Sequence, residues 1–242
     1  MRALLALLLL STPAAASDLE ARGVLVASRT ADVAAPMSAR LKSVPFREGA
    51  AFKAGAVLAS FDCDALEAER EAREAAHATL TLRHGNQKEL WQGGAAGELD
   101  VRLAESEMKQ AASEARALAA KLRDCTVRAP WAGRVAERHM ESFETPAVGQ
   151  PILSIVGAGR GEIALLVPSG WSAWLKPGTA FAFTVDGTGE TFPAEVTRLG
   201  AVVDPTSQTF EVVARPDTRP RAVPGTSGTA RFSPPSAMTT GE

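Results

Sequence analysis

Eleven residues, CTVRAPWAGRV from Cys125 to Val135, echo ADVAAPMSARL from Ala31 to Leu41. At a fixed offset of 94 residues, Ala35 falls on Ala129, Pro36 on Pro130, Arg40 on Arg134 and Leu41 on Val135. Farther on, Gly55 falls on Gly149, Leu58 on Ile152 and Ser60 on Ser154. Each copy consists of short apolar runs broken by turn residues: Glu48-Gly49 and Lys53-Ala54-Gly55 in the first, Gly133, Pro146, Gly149 and Pro151 in the second. Neither copy has enough apolar positions to close a core alone. The two are predicted to close one together, provided that the segment between them returns the chain to where it left.

That segment is built to return. From about Asp64 to Trp91, and again from about Glu98 to Asp124, Pro is absent and Ala, Glu, Arg, Leu and Lys dominate. The second stretch has an unbroken 3–4 spacing through Val101, Ala104, Met108, Ala111, Ala115, Leu118, Leu122 and Cys125, the seam along which one helix lies on another. The first has a weaker stripe of Ala65, Ala68, Ala72, Ala75, Thr79 and Leu82, predicted to be its mate. Between them QGGAAG, Gln92 to Gly97, supplies three glycines for a reversal. Arms of this length would reach ~40 Å at 1.5 Å per residue. One β module is thus predicted to be split by an antiparallel helical hairpin.

Cys63 opens the hairpin and Cys125 closes it. An antiparallel pair would bring them together at its base, which predicts a disulfide; the alternative is two buried free thiols. The N-terminus agrees with an oxidising compartment. MRALLALLLLSTPAAAS has one Arg, an apolar run, Pro13 and three alanines before Ser17, the pattern of a cleaved secretory signal. The run is shorter than the ~20 residues a membrane span needs, although an uncleaved anchor is the competing reading. The third region holds β-prone runs, EIALLV, AFAFTV, AEVTRLGAVV and TFEVVAR, punctuated by Pro168, Pro177-Gly178, Asp186-Gly187 and Asp204-Pro205. PSGWSAWLKPG is predicted to be a short helix plugging a barrel end with Trp171 and Trp174.

Candidate chemistry is sparse. The net charge of −2 offers no basic field for nucleic acid. His77, His84 and His139 are scattered, the first two on a helix expected to be solvated. A zinc site from the cysteines and a histidine lacks the close pair spacing and a fourth donor. GAGRG, Gly157 to Gly161, lacks the Lys-Ser/Thr of a phosphate loop and reads as a linker. Pairs such as Glu67 and Glu71 lie at helical spacing on a polar face, and Arg128 and Arg134 flank Trp131; both are read as structural. No nucleophile–base set presents itself, so no catalytic, cofactor-binding or metal residue is assigned and the chain is not expected to be an enzyme.

With those residues in view the chain resembles the periplasmic adaptor, or membrane fusion, proteins of Gram-negative efflux systems, the HlyD-like family. APMSARLKSVPFREGAAFKAGAVLASFD and CTVRAPWAGRVAERHMESFETPAVGQPILSIVG resemble its two lipoyl-like half motifs, and VDPTSQTFEVVARPD resembles part of its β-barrel domain. Ala39 departs from the pattern, standing where the first half usually has Gly, as Gly133 does in the second. The resemblance implies a mixed α and β, modular fold. A split lipoyl-like β-sandwich (17–62 and 126–157) would carry an inserted antiparallel coiled-coil hairpin (63–125). A small β-barrel (158–234) would follow, with a signal peptide at 1–16 and a disordered tail at 235–242. The family's membrane-proximal domain would have little chain left to form it.

The implied function is an adaptor that links an inner-membrane transporter to an outer-membrane channel, with an RND transporter favoured over an ABC transporter. Self-association into a ring, no cofactor, and a periplasmic location peripheral to the inner membrane go with it. The competing readings are a lipoyl- or biotinyl-type carrier module and a coiled-coil spacer without a pump partner. Carrier domains bear their modified Lys on the turn that the hairpin here replaces. Adaptors of this family that dock by their tips carry Arg, then Leu four residues on, then Ser seven beyond. Anchored on Leu90, this chain offers Asn86 and Gly97 at the flanking positions; in another register Trp91 is the anchor.

Overall fold

The computed structural model describes residues 19–233; the segments expected to be a signal peptide, 1–16, and a disordered tail, 235–242, lie outside them. The described chain divides into two compact units, Thr30–Ala158 and a second made of residues to Arg29 with those from Gly159.

The first unit shows what the doubled motif is for. Its strands are β2 (Thr30–Ala34), β3 (Leu41–Ser43), β4 (Ala51–Phe52) and β5 (Val57–Phe61) from the first copy. The second copy supplies β6 (Thr126–Arg128), β7 (Gly133–Arg138) and β8 (Pro151–Gly157). They form two sheets, ordered β2-β8-β7-β4 and β3-β5-β6. Each sheet therefore mixes the copies: β2 and β4 join β8 and β7 in one, and β3 and β5 join β6 in the other. The exchange extends to single hydrogen bonds. Ala35 donates to the Gln150 carbonyl and accepts from Gly149, while its counterpart Ala129 donates to Ala56 and accepts from Gly55, all at 2.8 Å. Ala35, Leu41, Phe52, Leu58, Phe61, Ala129, Val135, Ile152 and Ile155 fill one shared core. The second sheet lacks a counterpart of β4, and the reason is local. Pro146 stands where the first copy has Phe52, and proline has no N–H to give a ladder.

Between the copies run α1 (Asp64–Gln92) and α2 (Glu98–Arg123). Arg73 pairs with Glu114 and Arg83 with Glu107, each at 2.9 Å. The partner number falls as the first number rises, so the helices are antiparallel. Ala104, Ala111 and Leu118 of α2 are buried, on the seam its spacing predicts. The face expected of α1 is wrong. Ala65, Ala68, Ala72, Ala75, Thr79 and Leu82 are all exposed, and the half-buried residues are Leu66, Arg70, His77, Leu80, His84 and Gln87. The first set has 3–4 spacing throughout and the second has it apart from one step of seven between Arg70 and His77, but only the second passes through Cys63. Once Cys63 is bonded to Cys125 at a Cα separation of 6.2 Å, the rotational phase of α1 is set by that anchor.

The second unit is a closed barrel ordered β1-β13-β10-β11-β12-β9. Its strands are β1 (Leu19–Val26), β9 (Glu162–Pro168), β10 (Ala180–Val185), β11 (Thr191–Asp204), β12 (Thr209–Pro216) and β13 (Ser227–Phe232). The sequence predicts a first half motif over 17–62, which would include Leu19–Val26. Instead β1 pairs with β13 and β9, and Ala21, Gly23 and Leu25 point inward. Closure removes the free edges that β9 and β13 would otherwise expose. Phe181, Phe183, Phe192, Phe210 and Phe232 fill the interior. The 3-10 helix Ser169–Ala173 brings Trp171 and Trp174 edge-on to Phe232, with centroids 5.4 and 6.0 Å away.

Candidate docking surfaces

The far end of the helix pair is the first candidate. α1 stops at Gln92 and α2 starts at Glu98, with Gly94 at φ +76 in the turn. Asp100 reaches back to accept from the Gly97 N–H at 3.0 Å, capping α2. The last turn of α1 has no basic residue to offset its carbonyl end. The structure brings Leu90, Trp91 and Gly97 to this end, with Leu90 40% and Trp91 46% exposed. Asn86 lies about one and a half turns back from it on α1. Two further apolar residues, Leu99 and Leu103, stand exposed on α2. Sequence reasoning passed over them, although an i, i+4 leucine pair off the seam was a usable signal.

The base of the pair is the second feature. The Cys63–Cys125 disulfide is formed, both cysteines are buried, and both belong to the core shared by the two sheets. Arg40 pairs with Asp62 next to it at 2.9 Å, and that hydrogen bond holds the Asp62 carboxyl below its ordinary range.

The third is the β11–β12 turn, where Gly200–Ser207 are exposed and Val202 is 79% exposed. Pairing shifts between Leu199 and Val203, a bulge that turns side chains outward. In VDPTSQTF the Asp204 carboxylate accepts from the N–H groups of Ser207 and Thr206 at 2.8 and 2.9 Å, and from the Ser207 hydroxyl. The Ser207 N–H contributes most to holding that carboxyl below its usual range.

Chemistry remains sparse. Among the described residues no group of three or more His, Cys, Asp and Glu is arranged to hold a metal. His77 and His84 sit on the α1 seam face, half-buried rather than on the solvated face expected. Arg128 and Arg134 donate to the carbonyls of Gly55 and Gly49, pinning turns of the other copy. The structure does bring His139 Nε2 to Ser154 Oγ at 2.8 Å. The serine hydroxyl donates to Asp32 at 2.6 Å, so the imidazole is the donor in this chain and does not act as a base toward the serine.

No protein-family profile matches the sequence. The nodulation protein NolF of Rhizobium meliloti (strain 1021) is 24% identical over 212 residues, covering 81% of this chain and 58% of NolF. The chain thus spans a little over half of that relative's length. A MacA–MexA chimera containing the Pseudomonas aeruginosa MexA α-hairpin domain matches with TM-score 0.77 at 16% identity, over 89% of this chain and 80% of the chimera. The membrane fusion protein Spr0693 of Streptococcus pneumoniae R6 matches with TM-score 0.75 at 15% identity, over 90% of this chain and 100% of that one. The mixed α and β architecture, a six-stranded barrel with a β module interrupted by two helices, is the fold of membrane fusion proteins. Among the described residues no helix is long and apolar enough to cross a membrane.

Proposed function

We propose that the chain is a periplasmic adaptor linking an inner-membrane transporter to an outer-membrane channel, with a structural and coupling role and no catalytic step of its own. The observation that carries this reading is the helix pair issuing from a β module whose two sheets exchange strands, joined in one chain to a barrel. This is the architecture of the membrane fusion proteins it resembles. In this reading 30–62 and 126–157 are lipoyl-like halves, 63–125 a coiled-coil hairpin, and 19–26 with 158–234 the barrel domain. A signal at 1–16 is removed, an RND transporter is favoured over an ABC transporter, and copies associate into a ring. No lipoyl or biotinyl group is expected, because the helices stand where carrier domains have their lysine turn.

The tip formed by Leu90 and Trp91, with Asn86 and Gly97 nearby, is the channel-docking end. Asn86 can donate hydrogen bonds but has neither the charge nor the planar fork of Arg, and Gly97 has no hydroxyl. Docking here therefore rests on apolar contact, and a buried Trp is the kind of residue that carries interface energy. Leu90→Asp and Trp91→Ala should abolish crosslinking to the channel and raise susceptibility to the exported compound, with Glu71→Ala on the shaft as control. If both tip variants fold and match the control, the tip does not dock.

A further inference from the structure

The two helices are unequal partners. α2 buries Ala104, Ala111 and Leu118, whereas none of the 29 residues of α1 is buried. The face that α1 turns inward is mostly polar, with Arg70, His77, His84 and Gln87 beside Leu66 and Leu80. Arg70 Nε is buried there without a hydrogen-bond partner among the described residues, while an outer nitrogen of the same guanidinium pairs with Glu74 at 3.3 Å. A buried donor left unmade is costly. The stripe better suited to a seam, from Ala65 through Ala72 to Leu82, faces solvent instead, with Leu82 77% exposed.

Packing therefore does not select the phase of α1. The two stripes lie about 150° apart around a heptad helix. The interhelical ion pairs Arg73–Glu114 and Arg83–Glu107 are surface pairs, which stabilise little. What distinguishes the observed phase is the bond from Cys63 to Cys125. Cys63 stands at the N-cap of α1, yet its side chain caps nothing, because its sulfur is committed to the crosslink. The joints on either side can take up a turn of the helix: Asp62 and Cys63 at the base, and Gly93, Gly94 and Gly97 at the tip.

We infer that the Cys63–Cys125 disulfide is a reversible redox lock on the rotational phase of α1. Oxidised, it holds the polar stripe on α2 and keeps the small-residue stripe outside. A dithiol opens it: the reductant gives up two electrons and two protons and becomes a disulfide, and Cys63 and Cys125 become thiols. An uncapped helix start is the low-stability end of a helix, which gives the dithiol a way in. Once released, α1 turns its small stripe onto Ala104, Met108 and Ala111, and Arg70, His77 and His84 reach water. The shaft thus exchanges a small, apolar outer face for a basic one, a two-state element biased by one covalent bond. The adaptor reading enters only in what the shaft is for; the switch itself needs neither transporter nor channel.

Reporter thiols in the purified full chain test it, alkylated under native conditions. With the native bond intact, Ala72→Cys should react about tenfold faster than His77→Cys, the ratio given by about 1.4 kcal/mol of protection. In the Cys63→Ser/Cys125→Ser chain the order should reverse. Thermal melts give a second readout: Leu80→Asp should lower Tm more than Leu82→Asp when the bond is present, and less in the Cys63→Ser/Cys125→Ser chain. Dithiothreitol should convert the wild type to the second pattern, and reoxidation should restore the first. Three results overturn the inference. The reporters and the aspartates could keep their order without the bond, which would make the core at the base the determinant of phase. Both reporters could react equally fast, which would mean that the helix pair had melted and not turned. The bond of the folded wild type could resist dithiothreitol. Each would leave the adaptor reading standing, whereas a chain that switches phase but binds no transporter would fail that reading alone.

Discussion

Gly133 is the residue on which the β module is least forgiving. A Cβ there would meet the Val156 carbonyl oxygen at 2.2 Å and the Phe52 ring at 2.9 Å, backbone and a packed aromatic that cannot yield cheaply. Gly133→Ala should cost about 3 kcal/mol in chemical denaturation, whereas the first copy already carries a methyl at the counterpart, Ala39. Asp204 offers a pH-dependent case. Its folded pKa is depressed, so its contribution is present above the unfolded carboxylate range near ~4 and is lost as pH falls through the folded value. The stability gap between wild type and Asp204→Ala should be open at neutral pH and close in acid; a gap that widens in acid would contradict this. The Ala39–Gly133 difference could be read in the sequence because both copies could be aligned by eye. The left-handed backbone at Phe143 could have been inferred from Gly49, but only by trusting the alignment through a turn whose residue types disagree.

At the scale of elements, the helices were legible in extent and only half legible in orientation. Alanine counts as apolar in any periodicity, so α1 carries two 3–4 stripes, one of small residues and one interrupted by Arg70, His77 and His84. The stripe through Cys63 was the correct one, a choice that follows from taking the disulfide as a constraint on phase. Leu80→Asp should therefore lower the Tm and amide protection of the helix pair, while Leu82→Asp, at a site 77% exposed, should be near neutral within about 0.5 kcal/mol. Equal effects would mean that the seam is misplaced. The disulfide itself closes 62 residues. In the chain-entropy model that constraint is worth about 4 kcal/mol, so Cys63→Ser with Cys125→Ser should lower the unfolding free energy by that order. A variant pair as stable as wild type would show that the core at the base, not the crosslink, fixes the helices.

For the whole molecule, the doubled motif made the split module legible because its two halves use the same residues for the same bonds. The barrel was harder. Its first strand, β1, pairs with a strand more than two hundred residues away, Leu19 opposite Phe232, and local alternation carries no information about so distant a partner. The proposed function rests on this architecture. The most direct test is to affinity-purify the full chain from membranes of its own host under mild detergent and identify what comes with it. The account predicts one complex that contains an inner-membrane transporter and an outer-membrane channel, with the channel lost from Leu90→Asp and the transporter retained. Recovery of the chain with neither, or with a soluble enzyme to which it contributes a modified lysine, would contradict the adaptor reading.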